Sequence, residues 1–280
     1  MDESHFHLIH ITDLHFYQFP KKISKLLNKR ILGCINWELN RKKRFDFNNT
    51  ERFLNLLKKY KNTSIVITGD LTVTSLEEEF HIAKDFIDKI REKGFPVFVI
   101  PGNHDYYTFE SVRQKRYETL FSEYSISNTY PAMVPMPNGI KLILLYTVRP
   151  NILSSRGEID KKQIQQLKEI LSSLDQPAII CAHYPILHHT REYYSSYSRR
   201  LKNADLLRKA IIQTSVPTLY IAGHVHHYSL TPDKQNPCVQ YLCSPALFYN
   251  KEKNGGFSII TFEDGKFNIS FNSMYSLDSL

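Results

Sequence analysis

Short clusters of Asp, His, Asn and Gly residues directly follow five apolar runs of this chain, and no other feature constrains its fold as strongly. Runs of four to eight apolar and β-branched residues predict short, largely buried strands at 6–12, 64–68, 97–100, 140–147, 178–182 and 218–222. The clusters that follow are Asp13-Leu14-His15, Gly69-Asp70, Gly102-Asn103-His104-Asp105, His183 and Gly223-His224-Val225-His226. Because open α/β sheets bind ligands at the carboxyl ends of their strands, the clusters predict one shared site.

Amphipathic helices are predicted between these strands. Apolar residues recur at helical spacing over 51–60, 76–93 and 158–174. The alternation of strands and helices predicts an α/β architecture, in which helices cover the sheets. After His227, strands at 239–243, 257–262 and 266–271 follow one another without helices, which predicts an antiparallel end to the chain.

Length and composition predict one folded domain. A chain of 280 residues with 42% hydrophobic residues can bury a large core, and neither an internal repeat nor a Pro/Gly/Ser-rich linker divides it. We therefore expect a single domain over 1–280, with a basic amphipathic insertion at about 17–49. The first residues do not resemble a signal peptide, and the apolar runs fall short of the ~18 residues of a membrane span. The expected location is the cytoplasm, with peripheral contact to the inner face of the membrane as an alternative.

The net charge of +8 is concentrated in the insertion. Between Lys21 and Arg44 there are nine Lys or Arg residues and one acid, Glu38, while charges balance over the rest of the chain. A nucleic-acid binder usually spreads its basic residues over a fold, so nucleic acid is not the expected partner.

The insertion has two interpretations that the sequence leaves open. Its apolar residues fall at helical spacing among the basic ones: Ile23, Leu26, Leu27, Ile31 and Cys34, followed by Trp37. A basic amphipathic helix with a tryptophan is typical of a helix lying on an anionic membrane, here through Lys21 to Arg44. Alternatively, the apolar stripe packs on the fold and the charges face water.

The five clusters, in their order, resemble the calcineurin-like metallophosphoesterase family, whose pattern is D-x-H, G-D, G-N-H-[DE], H and G-H-x-H. The resemblance spans residues 13 to 226 without a substitution. It implies a four-layer α-β-β-α sandwich of two mixed sheets, with a two-metal site at the carboxyl ends of the strands. It also implies that Asp13, His15, Asp70 and His226 hold one metal, and that Asp70, Asn103, His183 and His224 hold the other.

The chemistry of these residues agrees with that implication. A carboxylate such as Asp70 can bind two divalent ions through its two oxygens and offset their repulsion. Imidazole nitrogens combined with carboxylate oxygens favour transition metals such as Mn, Fe or Zn. Water between two such ions becomes acidic enough to provide hydroxide, which attacks phosphorus. By resemblance, His104 faces the scissile phosphate and is the expected proton donor, and Asp105 is expected to orient it.

Substrate contacts are predicted less directly. Residues 187–200 follow His183 and are rich in aromatic and cationic side chains, so His188, Arg191 and Tyr193 are candidates for binding an anionic group. An ordinary solvated loop is the alternative. Arg149, after the strand at 140–147, is a further candidate for binding phosphate.

These features predict a metal-dependent hydrolase of phosphodiester or pyrophosphate bonds, with a cyclic nucleotide or nucleotide as the first substrate class. UDP-diacylglucosamine-type lipid pyrophosphatases, which act at the membrane surface, resemble the pattern too, although one branch has Arg at the position of His104. A non-catalytic phosphoesterase-like scaffold is the alternative of another class. A scaffold has no chemical reason to keep both the ligands and His104.

Overall fold

A computed structural model describes residues 6–26, 28–124, 127, 129–151, 154–250 and 254–275. Thirteen strands lie in this part of the chain: β1 (His7–Ile11), β2 (Thr63–Ile67), β3 (Val97–Val99), β4 (Ala132–Pro135), β5 (Lys141–Leu144), β6 (Gly157–Glu158), β7 (Ala178–Cys181), β8 (Leu201–Lys202), β9 (Thr218–Ala222), β10 (Ser229–Pro232), β11 (Val239–Cys243), β12 (Gly256–Glu263) and β13 (Lys266–Ser273). The α-helices here are α1 (Arg30–Asn36), α2 (Asn49–Leu56), α3 (Glu77–Glu92), α4 (Phe109–Arg113), α5 (Arg116–Phe121), α6 (Lys161–Ser173) and α7 (Ala204–Ile211). Among these residues, no helix combines the length and apolarity needed to span a membrane.

Two mixed sheets form the centre of the molecule. The first has the strand order β13-β12-β1-β2-β3 and the second β10-β11-β9-β7-β5-β4. Strands β1, β2 and β3 are parallel, as are β11, β9, β7 and β5, while β12, β13, β10 and β4 join the sheets by antiparallel pairing. The predicted α/β class with two mixed sheets and helices is therefore confirmed.

The alternation of side chains along the strands separates the layers. Leu8 of β1 and Val66 of β2 belong to a buried cluster with Leu142 and Ile221 of the second sheet. Their neighbours Ile9 and Ile65 belong to a cluster that includes residues of α2, α3, α6 and α7. Since successive residues of a strand point to opposite faces, each sheet packs against the other on one face and against helices on its outer face.

The sequence predictions differ from the structure at several elements. Strand β11 pairs in parallel with β9, so the prediction of an entirely antiparallel chain end is wrong. Helix α6 begins at Lys161 rather than at 158, because the Asp160 side chain accepts a hydrogen bond from the Lys162 amide and caps the helix there. The prediction also lacked several short elements, namely β4, β6, β8, β10, α4, α5 and α7.

The insertion is a series of short helical segments rather than one amphipathic helix. A 3₁₀ helix at Ile23–Leu26 precedes α1, and a π-helical turn at Trp37–Arg41 and a 3₁₀ turn at Lys42–Arg44 follow it. The predicted apolar stripe is divided, since Cys34 is buried whereas Ile31 is exposed. Leu27 and the side chain of Ile23 lie outside the described residues. That one domain covers the whole chain stays a prediction.

Candidate metal centre

The predicted ligand residues lie at the carboxyl ends of strands from both sheets. Asp13 and His15 follow β1, Asp70 follows β2 and Asn103 follows β3 of the first sheet. His183 follows β7 and the pair His224 and His226 follows β9 of the second sheet. Residues separated by as many as 213 positions therefore share one site between the sheets.

Asp13, His15 and His226 form the first cluster. The Nε2 atom of His226 lies 3.1 Å from Asp13 Oδ1 and 3.1 Å from His15 Nε2, and His15 Nε2 lies 3.6 Å from Asp13 Oδ1. One ligand atom from each residue falls within 4.8 Å of the others. The three side chains can thus contact a single ion.

Asp70, His183 and His224 form the second cluster with the same spacing. The Nε2 atom of His183 lies 3.4 Å from Asp70 Oδ1 and 3.2 Å from Asn103 Oδ1. On its other side, Asp70 Oδ2 lies 3.8 Å from His15 Nε2 of the first cluster. Each oxygen of Asp70 therefore faces a different cluster, as a carboxylate shared between two ions requires.

Backbone carbonyls select the nitrogen that three of the four predicted histidine ligands offer. The Nδ1 atoms of His15 and His183 face the carbonyls of Thr72 and Thr68 at 3.4 and 2.7 Å, and His224 Nε2 faces the carbonyl of Arg199 at 2.9 Å. A carbonyl only accepts hydrogen bonds, so the nitrogen beside it carries the hydrogen. In the neutral rings, the lone pair is left on the opposite nitrogen, which is the form that binds metals. The donor set thus fits two transition-metal ions.

Burial and mutual charge determine the protonation of these groups. Burial opposes ionisation of Asp13 and Asp70, but the neighbouring histidines, His226 for Asp13 and His183 for Asp70, hold the pKa of each carboxyl below its ordinary value. Burial likewise opposes the charge on His183, but Asp70 raises its pKa to about 9. For His226, burial prevails over Asp13 and lowers the pKa to about 4. The lowered pKa values keep both buried carboxyl groups ionised at neutral pH, as ligands for cations require.

The backbone of the site is held in uncommon conformations. Five of the seven predicted ligands have φ between 52° and 70°: Asp13, His15, Asp70, His224 and His226. Left-handed backbone at residues other than glycine is costly and collects at functional sites. The loops also approach closely, since a Cβ atom on Gly223 would lie 2.0 Å from Thr12 Oγ1 and 2.3 Å from Asp13 Oδ2. Glycine at 223 thus lets the H-x-H loop reach Asp13.

His104 and Asp105 have different contacts from those predicted. The Nδ1 atom of His104 donates to the carbonyl of Val73 at 2.6 Å, and burial lowers the pKa of this ring to about 3. Asp105 instead accepts hydrogen bonds from the amides of Gly102, Leu71 and Thr72 at 2.8 to 3.2 Å. The prediction that Asp105 orients the ring is corrected accordingly: Val73 holds the imidazole, and Asp105 joins the loops after β2 and β3.

A cleft of about 410 Å³ opens at Asn103 and His104. Arg149, the predicted candidate for binding phosphate, lines it and also pairs with Glu158. Lys29, Tyr107 and Arg199 also line it, although no sequence pattern pointed to them as substrate contacts. Tyr107 stacks on the His104 ring with a centroid separation of 5.4 Å, and the Lys29 ammonium lies 4.4 Å from the centre of the Tyr107 ring. The cleft therefore presents cationic and aromatic groups beside the candidate centre.

The other three predicted substrate contacts lie elsewhere. In the described part of the chain, His188, Arg191 and Tyr193 do not line the cleft. Their loop folds back on itself, with Thr190 bonded to Tyr193 and Ser195 to His188 through the backbone. Tyr193 is buried and donates its hydroxyl to the carbonyl of Leu187. The composition of the loop and its position after His183 suggested these residues, and their role in substrate binding stays a prediction.

Arg41 lies beside the first cluster. It is predicted from sequence only as one of the basic residues of the segment Lys21 to Arg44, but its Nη2 atom lies 3.4 Å from His15 Nε2. Burial lowers the pKa of Arg41, opposed by the charges of Asp70 and Asp13. The insertion thus extends a guanidinium over the first cluster, whereas Lys42, Lys43 and Arg44 remain exposed.

Comparison with known proteins agrees with this geometry. A family model described as calcineurin-like phosphoesterase matches residues 6–228. A dimetal phosphatase from Danio rerio superposes with a TM-score of 0.69 at 14% identity, covering 96% of each chain. A purple acid phosphatase from yellow lupin seeds superposes with a TM-score of 0.58 at 14% identity, over 98% of this chain and 52% of its own. These structural likenesses show a shared fold. A comparison with curated proteins found no match.

Proposed function

Because this chain belongs to the calcineurin-like phosphoesterase family, we propose that it is a dinuclear metal-dependent hydrolase of phosphodiester or pyrophosphate bonds. The observation that carries the proposal is the position of Asp70, whose two oxygens face two separate clusters of ligand atoms. A scaffold would gain nothing from burying these charges, since each costs free energy unless it is paired or binds a metal.

Seven side chains would hold the metals. Asp13, His15 and His226 would hold one ion, Asn103, His183 and His224 the other, and Asp70 both. Their nitrogen and oxygen donors favour Mn, Fe or Zn. When bound, two such ions supply an acidified water and positive charge near the phosphoryl oxygens.

His104 would supply the proton. Since its Nδ1 hydrogen is donated to Val73, Nε2 is the atom that takes up a proton and passes it to the leaving oxygen. An anionic phosphate in the cleft favours the protonated ring and so opposes the effect of burial on its pKa. Asp105 keeps the G-N-H-D turn in place, and Arg41, Lys29 and Arg149 would offset the charge of the substrate.

The cleft is compatible with two substrate classes. Tyr107 and the cationic side chains favour a nucleotide or cyclic nucleotide, because an aromatic ring can stack on a base while cations bind its phosphate. A lipid-linked diphosphate is the second candidate. The observation that favours it is Leu32, an apolar side chain that lines the cleft and is also exposed.

An activity screen tests the proposal. The purified chain, loaded with Mn, is incubated with bis-p-nitrophenyl phosphate, cyclic nucleotides and UDP-linked sugars, beside an Asp70→Ala variant and a chelator-treated sample. We expect hydrolysis by the loaded wild type only. If the wild-type chain holds metal but hydrolyses none of these substrates faster than Asp70→Ala does, the non-catalytic scaffold becomes the better description.

A further inference from the structure

The insertion exposes an apolar face beside the catalytic cleft. Ile31, Leu32 and Ile35 of α1 and Leu39 of the π-helical turn are 43%, 61%, 50% and 75% exposed. Phe19, ahead of the helix, is 51% exposed. Five of the ten large hydrophobic side chains recorded as exposed in the described residues therefore lie within the 17–49 segment. Such a concentration marks an interaction surface rather than scattered surface residues.

The opposite face of the same helix is firmly fixed to the fold. Arg30 is fully buried, donates to the carbonyls of Thr74 and Lys25 at 3.1 Å, and pairs with Glu110 at 3.3 Å. Trp37 is also buried and packs on Phe45 with a ring separation of 5.1 Å. Rotating the helix to bury its outer apolar residues would expose Trp37 and leave the Arg30 charge without its partners. The outer face can therefore be covered only by something outside the described fold.

Exposed cations lie on both sides of this face. Lys21 and Lys22 precede it, and Lys42, Lys43 and Arg44 follow it, all exposed. The one acid between Lys21 and Arg44, Glu38, pairs with Lys42 at 2.9 Å. Apolar side chains flanked by lysine and arginine are complementary to a surface of anionic head groups above hydrocarbon.

We propose that this face docks on an anionic lipid bilayer. The apolar side chains of α1 and Leu39 enter the boundary between head groups and acyl chains, while the flanking cations contact lipid phosphates. Because Leu32 also lines the cleft, docking brings the cleft mouth to the bilayer surface. The proposal concerns where the molecule lies and does not depend on the hydrolysis proposed above.

Vesicle flotation of the full chain, without added metal or substrate, tests the docking. The vesicles contain phosphatidylcholine alone or phosphatidylcholine with an equal amount of phosphatidylglycerol. Salt is set at about 0.01 M or about 1 M, where the Debye length is about 30 or 3 Å. We expect wild type to float with the anionic vesicles at low salt, to float less at high salt, and to remain behind with neutral vesicles.

Two variants and a control separate the contributions. Ile35→Gln with Leu39→Gln should weaken flotation at least about tenfold through the lost apolar burial, and Lys43→Gln with Arg44→Gln should weaken it mainly at low salt. The matched control is Met133→Gln with Leu206→Gln, which changes two exposed apolar residues on β4 and α7. It should float like wild type.

Several results would overturn the proposal. The docking proposal is wrong if wild type does not bind anionic vesicles at low salt. It is also wrong if the Ile35→Gln and Leu39→Gln double variant floats as well as wild type does. Sedimentation showing that wild type dimerises and that the double variant does not would assign the face to a second copy instead. Hydrolysis of bis-p-nitrophenyl phosphate, measured on separate Mn-loaded aliquots of each variant, reports on the proposed function and on the folding of each variant.

Discussion

The backbone N–H of His104 donates a hydrogen bond to Oδ1 of Asp70 across 2.7 Å. The same oxygen lies 3.4 Å from Nε2 of His183 in the second cluster. The residue proposed to transfer the proton is therefore held directly by the carboxylate proposed to bridge the metals. Placing the metals and placing His104 depend on one side chain, and this relationship leads to the first predictions.

Asp70→Ala should remove both ions rather than one. Each cluster loses a carboxylate oxygen, and the repulsion between two cations loses the negative charge that offsets it. Elemental analysis after loading with Mn or Zn measures the metal content. Asp85→Asn, which changes an exposed acid on α3, is the control and should keep the wild-type amount. Retention of one ion by Asp70→Ala would contradict the bridging role.

His104→Ala should keep its metals and lower turnover about 10²- to 10⁴-fold, the usual contribution of a positioned proton donor. The loss should be smaller for p-nitrophenol esters, because that leaving group departs without a proton. Steady-state rates with esters of alcohols of increasing pKa make the comparison. A loss of the same size for every leaving group would indicate that His104 stabilises phosphoryl oxygens instead.

Gly223→Ala should disturb the metal centre itself. The added Cβ would collide with Asp13 Oδ2 and Thr12 Oγ1, so the H-x-H loop must move away from Asp13. We expect reduced metal content and a free energy of unfolding lower by about 1 to 3 kcal/mol. Gly94→Ala is the matched control: Gly94 has a φ of 90°, but an added Cβ meets no heavy atom within 4 Å. The Gly94→Ala variant should have a lower free energy of unfolding, because its backbone is strained, and an unchanged metal content.

Arg41→Gln should lower kcat/KM on small phosphodiesters about tenfold or more while leaving the metal content unchanged, because a charge-assisted contact with the phosphate is lost. Lys43→Gln removes one charge from the same segment at an exposed position and should act like wild type on these soluble substrates. Equal effects of the two changes would show that Arg41 contributes only long-range charge.

Acid should weaken the attachment of the insertion through Glu110. Burial opposes ionisation of this carboxyl, but hydrogen bonding to Lys25 and the charges of Arg116 and Arg30 lower its pKa from 4.5 to about 2. Above pH 4.5 the group is charged in both the folded and the unfolded chain, and its full contribution to stability is present. Between pH 4.5 and about 2 the unfolded chain takes up the proton first, so stability is lost as the pH falls.

Urea unfolding of wild type and Glu110→Gln measures this contribution. At neutral pH the variant should be less stable by about 1 to 3 kcal/mol, since the buried Arg30 loses a charged partner. The difference should shrink as the pH is lowered below 4.5. Glu78→Gln, at an exposed position of α3, should show no such difference. A gap between wild type and Glu110→Gln that stays constant with pH would contradict the assigned role.

Local sequence was sufficient to predict the α/β class and most of the long strands and helices. A buried strand is visible as a run of apolar residues, and the polar cluster that ends it lies within a few positions, so Asp13 could be placed next to β1, and His183 next to β7, without knowledge of any distant contact. That several such clusters meet follows from a general property of α/β sheets. The short elements, of two to eight residues each, were missed because they carry too little periodicity to be recognised.

The residue pattern therefore predicts which chemical groups are present and that they lie at strand ends. The direction in which these groups point depends on contacts made in the folded chain. The nitrogen that His224 offers depends on the carbonyl of Arg199, and the ring of His104 depends on Val73 rather than on the adjacent Asp105. The same holds for the insertion. Its apolar periodicity indicates that it has an apolar face, but not which of its side chains pack on the fold and which are exposed. Arg30 could turn inward only because Thr74 and Glu110, far along the chain, supply partners for its charge. Contacts of this kind join residues that are distant in sequence, so no local pattern records them.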